Sequence, residues 1–138
     1  MGSFIISYRK TAKIEGGYVN DPTDKGGRTY CGISQVMHPG WPGWTKIMVW
    51  IVAHGEPSKG HIFNDISGLD DDKLAFYKAQ EWDELRLDEV AAQDWCDNLY
   101  DTAVNHGTET ALHFVQDSLK IPHTKHMDDF TLQTINQN

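Results

Sequence analysis

Apolar residues recur at helical spacing along most of this chain, and one glycine-rich polar stretch near the start interrupts them. Phe4, Ile5, Tyr8, Ala12 and Glu15 share one helical face, which predicts a first helix ending at the Gly16-Gly17 doublet. Helical spacing is then lost as far as Ser34. Turn signals at Asn20-Asp21-Pro22 and over residues 24–27 punctuate this stretch. Between them the two tyrosines, Tyr18 and Tyr30, and Ile33 are expected to pair as short, half-buried strands. Trp41, Pro42, Gly43 and Trp44 read as a rigid aromatic corner that exposes its tryptophans. It is followed by an apolar helix over residues 45–54, expected to be buried and closed by Gly55 and Pro57. Residues 58–68 read as a loop.

The next helix starts at Leu69, with Asp70, Asp71 and Asp72 in its first turn and Leu74, Tyr77, Lys78, Glu81 and Trp82 on its inner side. A break is expected at residues 86–88. A helix follows over residues 89–104, interrupted by Asn105-His106-Gly107-Thr108. Helical spacing resumes over residues 111–119 and is stopped by Pro122, and a short helix over residues 127–135 ends the chain. No repeat or linker divides the sequence. The pattern predicts one mostly α domain with a small β-hairpin after the first helix.

Composition narrows the functional classes. The 138 residues suit a single core, and 20 acids against 12 bases give a formal charge of -8. No Lys/Arg run is present to neutralise phosphates, so nucleic acid is not an expected partner. Residues 47–53 are far too short an apolar run for stable membrane insertion. No basic region precedes the first apolar patch, so a secretion signal is not expected and synthesis in a cytoplasm is. Cys31 and Cys96 are expected to be two buried thiols. None of the 7 histidines stands in a spacing specific for zinc, and neither a metal nor a cofactor is expected. The size compels no dimer, and a monomer is expected.

The polar stretch, EGGYVNDPTDKGGRTYCGIS, holds more chemistry than a connection needs. Glu15 would sit near a helix end on the inward face, where desolvation and the helix dipole both raise a carboxyl pKa. That suits a general acid for glycosidic cleavage. Asp24, or alternatively Asp21, returns towards it across a turn, although Asp21 could instead cap that turn. Thr29 is a candidate for holding water, with Tyr30 as its competitor. Tyr18 and Tyr30 read as partners of the acids, as sugar platforms or as packing. Asn105 and His106, at the helix interruption, either contact a sugar or end the helix. Trp82 reads as core or as a stacking surface.

The same stretch closely resembles the signature of glycoside hydrolase family 108, the N-acetylmuramidases of phage endolysins and of bacterial secretion loci. YKAQEW (residues 77–82) and DTAVNHG (residues 101–107) resemble further segments of that family. Residues 109–138 resemble its short peptidoglycan-binding-like tail. The tryptophan-rich middle, residues 37–68, departs from its shorter pattern. The resemblance implies a lysozyme-like fold that cleaves the β-1,4 bond between N-acetylmuramic acid and N-acetylglucosamine. It implies Glu15 as acid, Asp24 and Thr29 as its assistants, and bacterial peptidoglycan as partner. A phage endolysin released through a holin-made hole is the expected setting. A secretion-associated muramidase and an inactive wall-binding protein on the same fold are the alternatives. Because walls are anionic, Lys10, Lys13, Lys25 and Arg28 are expected to form a local positive rim.

Overall fold

The computed structural model describes residues 2–11, 16–23 and 27–138. They belong to two compact units, Met1–Ala12 with Tyr77–Asn138, and Lys13–Phe76.

In the first unit, helix α1 (Phe4–Thr11) packs on helix α4 (Gln93–His106) through an aromatic cluster. The Phe4 ring meets Trp82 and Tyr100 edge-on, with centroids 5.6 and 5.7 Å apart. Such edge-to-face pairs add stabilisation beyond the area they bury. Beside them Asp97 accepts hydrogen bonds from Ser7 Oγ at 2.6 Å, Lys10 Nζ at 2.5 Å and Gln93 Nε2 at 2.8 Å. One carboxylate thus joins two helices that lie far apart in sequence. Helix α5 (Thr108–Leu119) follows α4 directly after Gly107, the expected interruption. Buried Gln116 then ties α5 to the end of the chain. Its amide nitrogen donates to Thr124 Oγ1 at 2.8 Å and Thr131 Oγ1 at 3.1 Å. Asp128 caps helix α6 (Asp129–Asn136) by accepting from the Thr131 backbone N–H. Residues 109–138 therefore share a compact unit with α4.

The helix expected from residue 89 starts four residues later. Arg86 is in the left-handed region (φ 54°), and a 3-10 turn, Leu87–Glu89, follows it. Val90 is fully buried in extended backbone, where its carbonyl accepts from Gly2 N at 2.9 Å. Burying that valine takes precedence over extending the helix.

In the second unit, β1 (Tyr18–Asn20), β2 (Arg28–Tyr30) and β3 (Ile33–Ser34) form an antiparallel sheet in chain order. Tyr18 pairs with Tyr30 and Tyr30 with Ile33, as the sequence suggests. The turn between β2 and β3 is Cys31-Gly32, both at positive φ (49° and 82°). That backbone twist matches the strands of a two-residue hairpin. Phe63 packs beneath, its centroid 5.9 Å from Tyr18 and 5.2 Å from Tyr30. Helix α2 (Pro42–His54) and helix α3 (Leu69–Tyr77) follow, and the next element in the chain, a π-helical turn at Lys78–Trp82, belongs to the first unit. Cys31 and Cys96 are both buried, and no disulfide joins them.

Two expectations for the middle of the chain are corrected. Trp41 and Trp44 are buried, not exposed. Their rings pack edge-on at 6.1 Å, and the Trp41 indole N–H donates to the Asp72 carbonyl at 3.1 Å. Helix α2 in turn is not buried all round. Trp44 and Ile47 face inward, whereas Val49 and Val52 are 67% and 87% exposed.

Gly17 has φ 63°, and a Cβ there would lie 2.6 Å from the Gly60 carbonyl oxygen and 2.8 Å from that of His61. Gly17→Ala combines left-handed strain with a backbone clash. It is expected to destabilise by about 2 kcal/mol or more, read from the urea midpoint. A second prediction concerns pH. Burial pushes the Asp97 carboxyl up, but the hydrogen bonds from Lys10, Ser7 and Gln93 outweigh it and hold the group below its ordinary value. A depressed folded pKa contributes stability above the unfolded value, near 3.9, and loses it as pH falls through the folded value. Asp97→Asn should therefore lower the melting temperature by roughly 5 °C at pH 7 and by much less at pH 3. An equal loss at both pH values would contradict this.

Candidate active site

The register of the hairpin sorts the candidate residues onto two faces, because successive side chains of a strand point to opposite sides. Tyr18, Asn20, Arg28 and Tyr30 share one face, while Val19, Thr29 and Ser34 share the other. Thr29 and Tyr30 are therefore not interchangeable. Tyr30 is 1% exposed, and its hydroxyl accepts from the Phe63 backbone N–H at 3.3 Å. Burial pushes its pKa up to about 12. This tyrosine stays neutral and packs the unit. Thr29 is half-buried between Val19 and Ser34, with its side chain on the face away from that core.

Local chemistry likewise engages Asp21. The Asp21 carboxylate accepts from Thr23 N at 2.9 Å and Thr23 Oγ1 at 2.7 Å, an Asx-type turn. These bonds hold its pKa below the ordinary carboxylate value. Asp21 is exposed and ionised, and its carboxylate makes the cap of its own turn. Glu15 and Asp24 lie outside the described residues.

Tyr18 is buried, and its hydroxyl enters a polar cluster. The hydroxyl donates to Glu56 Oε1 and accepts from Arg28 Nε at 3.0 Å. Asn20 Nδ2 donates to the same Glu56 oxygen at 2.8 Å, and Arg28 Nη2 lies 3.6 Å from Glu56 Oε2. Desolvation and then Glu56 raise the Tyr18 pKa, while the Tyr18 hydroxyl is the main cause of a lowered Glu56 pKa. The cluster borders a cleft of about 280 Å³ that Asp21, Pro22 and Lys59 also line.

In the other unit, Asn105 Nδ2 donates to the Asp101 carbonyl at 2.8 Å and to its carboxylate at 3.3 Å. Thr11 Oγ1, in the last turn of α1, donates to that carboxylate at 3.2 Å. Asn105 is thus tied through Asp101 to the last turn of α1. His106 is exposed at the end of α4. Trp82 is fully buried, its indole N–H donating to Asp88 at 2.8 Å. It is a packing residue, since a ring with no exposed face cannot stack on a sugar. In the expected positive rim, Lys10 is paired with Asp97 and Arg28 with Glu56. Lys13 and Lys25 lie outside the described residues.

Sequence reasoning missed Glu56. The signal available was an acid two residues beyond a helix C-terminus, where the helix dipole disfavours negative charge and a partner is required.

The family model for glycosyl hydrolase 108 matches residues 8–107. A solved structure described as that of Brucella abortus SagA has 20% identity and a TM-score of 0.53, covering 98% of this chain and 69% of its own. That likeness shows a common fold. No curated protein sequence matches this chain. The family match takes in both the EGGY stretch and the 101–107 segment. The chain belongs to the glycosyl hydrolase 108 family and is a glycoside hydrolase of the peptidoglycan-degrading kind.

Proposed function

We propose that this protein is an N-acetylmuramidase that cleaves the β-1,4 bond between N-acetylmuramic acid and N-acetylglucosamine, with Glu15 as general acid. The observation that carries the reading is the family match across residues 8–107, which spans the glutamate of the EGGY motif. In this mechanism protonated Glu15 donates to the glycosidic oxygen as the bond breaks. Asp24, ionised, stabilises the positive charge growing on the sugar or orients the attacking water. Thr29 holds that water through its hydroxyl. The hairpin register supports this choice, since Thr29 and not Tyr30 lies on the face away from the core. Asn105 binds a sugar amide at the end of α4, and His106 stands beside it.

Peptidoglycan is the partner and a monomer suffices. The setting we infer from the resemblance is that of a phage endolysin, made in the host cytoplasm and released to the wall through a holin-made hole. Among the described residues no helix is long and apolar enough to cross a membrane.

Initial rates of dye release from purified peptidoglycan test the residue roles. Glu15→Gln should lose at least about 10²-fold in kcat, the scale of a general acid. Full activity in that variant would refute the assignment. Thr29→Ala is expected to lose about tenfold in kcat while melting like the parent. Tyr30→Phe should do the opposite. Turnover per folded molecule stays within about twofold, and stability falls by about 1 kcal/mol as the buried Phe63 N–H loses its acceptor. A catalytic defect confined to Tyr30→Phe would reverse the choice between the two residues.

A further inference from the structure

The carboxylate of Glu56 holds the β-hairpin by both strands. Its Oε1 accepts from Tyr18 and Asn20 of β1, and its Oε2 faces Arg28 of β2. Arg28 also donates to the Tyr18 hydroxyl, so the two strands are joined to each other as well as to the acid. Asn20 and Arg28 are directly paired and are the outermost pair of the β1–β2 ladder. Thr29 is the next residue of β2 and projects from the opposite face.

The segment that presents Glu56 is itself anchored. Gly55 N closes helix α2 onto the Ile51 carbonyl at 2.7 Å. A few residues on, Tyr18 N donates to the His61 carbonyl at 2.9 Å and Gly60 N to the Tyr18 carbonyl at 2.7 Å. Residues 55–61 therefore run from a helix end to a backbone bridge on the outer edge of β1, with the carboxylate between two fixed points. A charge placed just past a helix C-terminus is disfavoured there. Three donors on the hairpin compensate it.

We propose that Glu56 is a positioning residue for the hydrolytic reaction: it fixes β1 and β2 against the end of α2 and so sets the position of Thr29. The proposal rests on the reading in which Thr29 holds the water. Small displacements of such a group are costly, since misplacement by about 1 Å can lose on the order of 10²-fold in rate. Glu56 touches neither substrate nor water in this account. It acts only through the hairpin.

The test compares Glu56→Ala, Glu56→Gln and Tyr18→Phe on purified peptidoglycan, with amide hydrogen exchange followed across residues 18–30. Glu56→Ala is expected to lose about tenfold in kcat with KM within about twofold. Exchange over β1 and β2 should quicken by a similar factor, while exchange over α4 and α5 stays as in the parent. Glu56→Gln keeps a carbonyl oxygen for Tyr18 and Asn20, so most of the turnover and protection should return. Tyr18→Phe deletes one donor and should show the same pattern in milder form, which keeps the test decisive if Glu56→Ala does not fold. Parental kcat and exchange in Glu56→Ala would overturn the proposal. So would a kcat loss without faster hairpin exchange, or no rescue by glutamine. Glu15→Gln and Thr29→Ala are run alongside. Full activity in either would refute the catalytic reading, whereas the exchange measurements judge the Glu56 clamp independently of it.

Discussion

The pairing of Tyr18 with Tyr30 is the constraint on which the candidate site depends. Both rings are buried against Phe63, so a one-residue slip of either strand would turn a tyrosine out of the core and put the smaller Val19 or Thr29 in its place. The register is therefore fixed by burial, and the register decides which side chains of the EGGY stretch remain available for chemistry. Thr29 is left on the outer face because Tyr30 must point inward. Asn20 and Arg28 are brought to the face of Tyr18, where one carboxylate takes up all three donors. Gly17 completes this arrangement, since only a residue without a Cβ lets the chain pass the carbonyls of Gly60 and His61 on its way into β1.

Much of this was readable from the sequence, for reasons that differ between elements. The hairpin could be found because glycine and proline punctuate it, and the paired residues are the aromatic and branched ones that suit a half-buried strand. The break at Gly107 was marked by local turn chemistry in the same way. What could not be read were properties set at long range. Trp41 and Trp44 look like an exposed corner until the Asp72 carbonyl, thirty-one residues on, supplies an acceptor for the Trp41 indole. Helix α2 is apolar on nearly every side, so periodicity gave no hint that Val49 and Val52 would face outward. The start of α4 moved because Val90 is buried as extended chain. Glu56 was passed over because its partners lie 28 to 38 residues earlier.

The candidate site divided along the same line. Local hydrogen bonding engages the Asp21 carboxylate with Thr23, and Tyr30 and Trp82 are buried in the packing of their units. The catalytic assignment of Glu15 and Asp24 rests on the motif and the family to which the chain belongs. Charge also reads differently once side chains are placed. Of the bases expected to attract an anionic wall, Lys10 and Arg28 each neutralise a structural carboxylate and serve the fold.

The proposed activity is defined by the identity of the bond that is cut. Its most direct test is to digest purified peptidoglycan, reduce the products with borohydride and identify the new sugar ends by mass spectrometry. An N-acetylmuramidase leaves new reducing muramic acid residues, so muramitol ends are the predicted result. Glucosaminitol ends would place the cut at the other glycosidic bond. Released peptides without any new sugar end would contradict glycosidic cleavage altogether.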